Sequence, residues 1–232
     1  AYERADNYRP VVSLEKVYIN PSFEWRPNDK TTITLEGDYL NEDLTPVTST
    51  VNFAGIGTEA LWDMPHDKFL GTKNNNVNTE LMTYSGRIKH YLTNEISVRA
   101  AYFYSSYQVD NTSTGLSAAY GNEDTRRVRN LSRSLRDDRN TTFQLDLVGQ
   151  DVYTGTIKHT FQVGFDYRIA DATTKNLNPL NAKGKATAIV IDTVDIKNSP
   201  IDNSYQDANF RNPDDVKGIN SKYNTYGVMA QE

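Results

Sequence analysis

The alternating length of the connections between strand-like segments constrains this chain more than any other feature. Seven segments with period-2 patterning are joined in the order short, long, short, long, short, long. The short connections are Pro27–Lys30, Thr93–Glu95 and Val152–Thr156; the long ones are Thr45–Asn76, Val109–Asn140 and Ala172–Ser221. Compact domains seldom hold three irregular connections of that length. Tight turns at one end of a sheet and long loops at the other are the plan of an outer-membrane β-barrel. The pattern predicts an all-β chain, a partial antiparallel transmembrane β-barrel of about seven long strands. Short turns face the periplasm, long loops face outward, and residues 1–232 form one piece of barrel domain.

Composition is compatible with that plan. Hydrophobic residues make up 37% of the chain and mean hydropathy is -0.67, so no run approaches the ~20 apolar residues of a membrane helix. A barrel strand meets lipid with every second residue only, and its average is polar. Fifteen Tyr, eight Phe and two Trp supply the amphipathic rings that barrels place at both membrane interfaces. A net charge of -5 and a pI near 5.3 argue against nucleic acid as a partner. The absence of cysteine excludes a disulfide scaffold, thiolate metal sites and cysteine catalysis. The opening Ala1-Tyr2-Glu3-Arg4 has no apolar leader, and the chain stops at Gln231-Glu232 inside an apparent strand. A fragment or mature piece of something longer is expected.

The strands are read from alternation. Leu14–Arg26 puts Val17, Ile19, Phe23 and Trp25 on one face, with Pro21 marking a bend. Thr31–Asn41, Asn78–Leu92, Ile96–Gln108 and Thr141–Asp151 follow. Ile157–Ala170 alternates Phe161, Val163, Phe165, Tyr167 and Ile169 with Thr160, Gln162, Gly164, Asp166 and Arg168, and a seventh strand begins near Lys222. A soluble sandwich would alternate equally well. Segments of 11–14 residues exceed its usual 5–6 and match the ~9–11 residues of a tilted membrane strand with some extension.

Several segments resemble one family. His159-Thr160-Phe161-Gln162-Val163-Gly164-Phe165-Asp166-Tyr167 is similar to a barrel strand of TonB-dependent siderophore receptors of the ferrichrome-receptor type. Ile19-Asn20-Pro21-Ser22-Phe23-Glu24-Trp25-Arg26-Pro27-Asn28-Asp29 resembles that family's strand and periplasmic turn, and Thr31–Leu35 continues it. Arg87–His90 and Tyr226–Glu232 resemble parts of later strands. The resemblance implies an outer-membrane receptor and transporter for ferric siderophores, energised by the TonB complex through a plug domain. Neither that plug nor the closing strand is among these residues, and seven strands cannot close the barrel of about 22 that membership implies. The implied partners are the ferric siderophore, TonB, and outer-membrane lipid with lipopolysaccharide. No cofactor and no metal site are expected, because iron would arrive already chelated.

The strongest local chemistry is the arginine run. Arg126, Arg129, Arg133 and Arg136 fall at 3-4-3 spacing, which predicts one helical face. In an extracellular loop Arg126, Arg127 and Arg129 could grip an anionic chelate or lipid phosphates, although flanking Glu123, Asp124, Asp137 and Asp138 fit a salt-bridged loop as well. Trp62, Phe69 and Tyr120 are candidate exposed aromatics for stacking on a ligand; packing into a small loop knot is the other reading. His66, His90 and His159 sit on separate segments without metal-ligand spacing. The acidic third loop lacks the EF-hand pattern, and Gly55-Ile56-Gly57 has no nucleotide-binding context. No nucleophile elbow or catalytic carboxylate pair stands out, so the chain is read as a non-enzyme. The alternatives are a soluble β-sandwich module binding carbohydrate through Tyr and Trp, and an outer-membrane barrel enzyme.

Overall fold

The computed structural model describes residues 1–46, 67–120, 123–195 and 199–232, and of 118–120 and 123–125 the backbone only. The chain forms one antiparallel sheet of ten strands. These are β1 (Tyr2–Asp6), β2 (Ser13–Ile19), β3 (Ser22–Asn28), β4 (Thr31–Leu44) and β5 (Asn76–Tyr91), then β6 (Ile96–Tyr120), β7 (Glu123–Thr154), β8 (Ile157–Asn176), β9 (Ile189–Asp195) and β10 (Ile219–Gln231). The path runs β1-β2-β4-β5-β6-β7-β8-β10, with β3 also on β4 and β9 also on β7. The ends of the path do not meet, so the sheet is an open wall. Among the described residues no helix is long and apolar enough to cross a membrane.

The predicted alternation of connections holds at the short end. Asp29-Lys30, Leu92–Glu95 and Gly155-Thr156 turn the chain there, and Gly155 takes the positive φ of +64° that its turn requires.

The long end corrects the sequence reading. Val109–Asn140 is not an irregular loop: β6 and β7 run 25 and 32 residues and pair across nearly all of it. Membrane crossing needs ~9–11 residues, so the outer halves of both strands stand beyond the wall as a ribbon. The arginines therefore lie on a strand rather than on a helical face. Alternation sends Arg126 and Arg136 to one side and Arg127, Arg129 and Arg133 to the other.

Two more differences follow from backbone chemistry. Leu14–Arg26 splits into β2 and β3 at Asn20-Pro21, because Pro21 has no N–H to give the ladder. The Gly37 N–H donates to the Pro21 carbonyl at 3.0 Å and keeps both pieces on β4. In the third connection β8 continues to Asn176, and Ile189–Asp195 returns as β9 to pair with β7 where β8 has left it.

Register decides what each face presents. One row crosses six strands as Leu35, Gly86, Tyr102, Phe143, Tyr167 and Tyr226, and Phe23 joins at Leu35. The row below reads Ile33, Ile88, Ala100, Leu145, Phe165 and Val228, with Trp25 beside Ile33. This is an apolar belt with stacked tyrosines, Tyr84 on Tyr104 and Tyr167 on Tyr226, each pair at 4.8 Å between ring centres. Most of its large side chains are exposed, Phe23, Trp25 and Val228 among them.

The opposite face is polar and internally bonded. Arg87 pairs with Glu36, while Asp38 accepts from Tyr18 and Thr83, each at 2.7 Å. One face made for hydrocarbon and one for a wet or protein-filled lumen is the barrel pattern.

Candidate extracellular binding region

The ribbon is where the sequence concentrates charge, and it holds the most buried side chains of the described residues. Arg129, Phe69, Leu70, Leu131, Leu177 and Thr72 are all less than 2% exposed. They belong to three segments far apart in sequence: the end of the β4–β5 connection, the outer half of β7, and the β8–β10 connection.

Arg129 is the centre of this cluster. Its Nε and Nη2 donate to the two carboxylate oxygens of Asp192 on β9, at 2.8 and 2.6 Å. Nη2 also donates to the Asp202 carbonyl at 2.8 Å, and Nη1 to the Leu70 and Gly71 carbonyls at 3.2 and 3.3 Å. A buried guanidinium is tolerated when its planar fork is fully used, as it is here. Asn203 adds bonds from its amide to the Phe69 and Gly71 carbonyls at 2.8 and 2.7 Å. Asn74 and Gln206 exchange two more at 2.8 and 2.7 Å. The segments at 69–75 and 202–206 are thereby tied to each other and to β7.

Electrostatics at the edge of the cluster reinforce it. The Ser204 N–H donates to Asp202 Oδ1 at 2.8 Å and, with the Ser204 hydroxyl and the Arg129 charge, holds that carboxyl below the usual carboxylate range. Arg133 donates twice to Asp110 on β6, at 2.9 and 2.7 Å, which raises its pKa above the ordinary arginine value.

The sequence-predicted ligand residues thus separate. Phe69 is 1% exposed: it is packed in the loop knot and not presented for stacking. Arg129 is buried with its donors committed, and Arg127, 3% exposed, donates to the Arg126 carbonyl at 2.7 Å. Arg126 is half-buried on the other side of β7. Trp62 and the side chain of Tyr120 lie outside the described residues.

The polar face that continues up the ribbon carries residues the motif reading passed over. Arg136 is exposed there and pairs with Asp138 at 2.5 Å, with Tyr107 of β6 directly opposite Asp138. Leu81 and Leu40 continue that row on one side and Ala172 on the other. Register, and not spacing within the arginine run, is the signal that finds this patch. Among the described residues no three His, Cys, Asp or Glu side chains gather as a metal site.

No family model matches the chain. The metal-pseudopaline receptor CntO of Pseudomonas aeruginosa is 24% identical over 168 residues, which cover 72% of this chain and 23% of that protein. Solved structures align over almost the whole chain. The closed form of the ferric-catecholate import receptor Fiu from E. coli K12 gives a TM-score of 0.74 at 18% identity, over 99% of this chain and 33% of that one. BauA, the ferric preacinetobactin receptor of Acinetobacter baumannii, gives 0.69 at 15% identity, over 97% and 32%. The chain thus spans about a quarter of its curated relative and a third of each solved receptor. The fold is that of an outer-membrane receptor barrel, represented by a stretch of its wall.

Proposed function

We propose that this chain is barrel wall from a TonB-energised outer-membrane receptor that takes up ferric siderophores in a Gram-negative bacterium. The observation that carries the reading is the alignment of 99% of the chain with a ferric-catecholate import receptor at a TM-score of 0.74. The belt on one face and the bonded polar network on the other give it a physical basis. In this reading the polar face lines the passage, where Arg136 and Tyr107 are placed to meet an anionic aromatic chelate by charge and stacking. Arg126, Trp62 and Tyr120 remain candidates for the same mouth, whereas Phe69, Arg127 and Arg129 hold the loops. A plug domain elsewhere in the full-length protein would couple the wall to TonB.

The name of the curated relative favours a second reading within the same class, uptake of another metal held by a metallophore. One experiment separates the two. A strain lacking the full-length gene is expected to lose uptake of at least one radio-iron siderophore, restored by the wild-type gene. Loss confined to metallophores charged with a metal other than iron would replace the iron reading with the second. Unchanged uptake of all of them would overturn both.

A further inference from the structure

Four arginines of β7 each hold an aspartate, and one of the four pairs is built differently. Arg129 with Asp192, Arg133 with Asp110 and Arg139 with Asp137 place Nε on one carboxylate oxygen and Nη2 on the other. That two-bond fork is the strongest form such a pair takes. Arg136 instead directs Nε and Nη2 to a single oxygen, Oδ2 of Asp138, at 2.8 and 2.5 Å. The second oxygen, Asp138 Oδ1, is buried and has no hydrogen-bond partner among the described residues. It has lost hydration and gained no donor in exchange.

The neighbours sharpen the contrast. Asp138 lies in an apolar row, between Tyr107 and Leu81 on one side and Ala172 on the other, where charges attract more strongly than in water. The Arg136 side chain is 57% exposed and that of Asp138 only 17%. The guanidinium is open to an arriving molecule, whereas its counter-ion is largely covered.

Such a pair is exchangeable. An incoming anion with two adjacent oxygens completes the fork that Asp138 leaves half made. A neutral chelate gains no comparable bond, and displacing Asp138 would leave a covered carboxylate without its cation. Selectivity is a difference of affinities, and this penalty falls on the neutral ligand. We propose that Asp138 is a specificity-determining residue: it stands in for the ligand's anion at Arg136 and yields to a chelate with paired anionic oxygens. Asp138 acts through Arg136 and touches no ligand itself. The proposal rests on the reading of the polar face as the lining of a ferric-chelate passage.

The test uses the full-length protein in mild detergent and two probes, a ferric tris-catecholate, which is anionic, and a ferric tris-hydroxamate, which is neutral. Affinities are read from quenching of intrinsic fluorescence. Asp138→Asn removes the internal anion and is expected to tighten the catecholate about tenfold, the scale of one charge-assisted hydrogen bond, with the hydroxamate unchanged. Asp137→Asn, the same change on the opposite face of β7, is expected to leave both affinities alone. In an Arg136→Gln background the gain from Asp138→Asn is expected to vanish. A loosened fold would shift both probes together, so the ratio of the two separates specificity from structure. Catecholate affinity that stays level or falls in Asp138→Asn overturns the proposal, as does equal tightening of both probes; the transport reading survives either result. If Asp138→Asn fails to assemble, Arg136→Gln is read alone: a loss of about tenfold for the catecholate only supports the proposal, and an equal loss for both overturns it. Wild type that binds neither chelate overturns the transport reading and the proposal with it.

Discussion

The wall and the ribbon block are one continuous sheet with opposite solutions to burial. In the wall, Phe23, Trp25, Leu145 and Phe165 lie open on the belt face, and the polar face is held by local pairs such as Arg87–Glu36. It has no core of its own, because hydrocarbon takes that role on one side and the contents of the lumen on the other. The ribbon block stands in water and has to bury its own surface. It does so by folding 69–75 and 199–216 against β7, around Leu131, Leu177 and the Arg129 fork. The same strand, β7, thus reads as membrane protein at Phe143 and as soluble protein at Leu131.

Removing the fork is the largest break expected in that comparison. Arg129→Ala would leave Asp192 unpaired and strip the donor from the Leu70 and Gly71 carbonyls, costing about 3–5 kcal/mol within the block. Hydrogen exchange on the full-length protein is expected to rise at 69–75 and at 202–206 together, while β5 and β8 keep their protection. Exchange rising in only one of the two segments would show that they are not a single unit.

The wall is broken by charge in the opposite place. Phe165→Arg should destabilise the assembled barrel by about 2–4 kcal/mol where that row lies near the bilayer midplane. Gln162→Arg, on the polar face, should cost far less. Equal losses of heat-resistant barrel in folding assays would contradict the assigned faces.

Acid gives the smallest effect and touches the block alone. The Asp202 carboxyl has a folded pKa below its unfolded value, so its contribution is present above about pH 4 and lost as pH falls through the folded value. Pepsin cleavage near 199–206 is expected to speed up between pH 4 and pH 2 relative to cleavage in the wall. Cleavage that does not change across this range would exclude a role for Asp202 in holding the segment.

Much of the wall was legible in the sequence. Alternation through Phe161–Ile169 gives a strand and its faces because lipid and lumen each impose a two-residue period. The turn at Gly155-Thr156 is legible because few residues accept its geometry. The split at Pro21 was legible as a bend, but the two separate strands were not, since that outcome depends on how β4 receives both pieces.

The candidate site was far less legible. The spacing of Arg126, Arg129, Arg133 and Arg136 fits a helical face, and nothing local rules it out; the cross-strand pairing with β6 does. Asp192 is 63 residues from Arg129, and Asn203 is 134 from Phe69, at separations no motif carries.

The sequence by itself determined a membrane-wall chain with two chemically distinct faces, because period-2 patterning and turn chemistry are local properties. Only the tertiary structure decided which arginine is a buried clamp and which lies exposed on the polar face. A strand's register against its neighbours, and the loops that fold onto one of its sides, assign neighbouring residues of like charge to opposite environments.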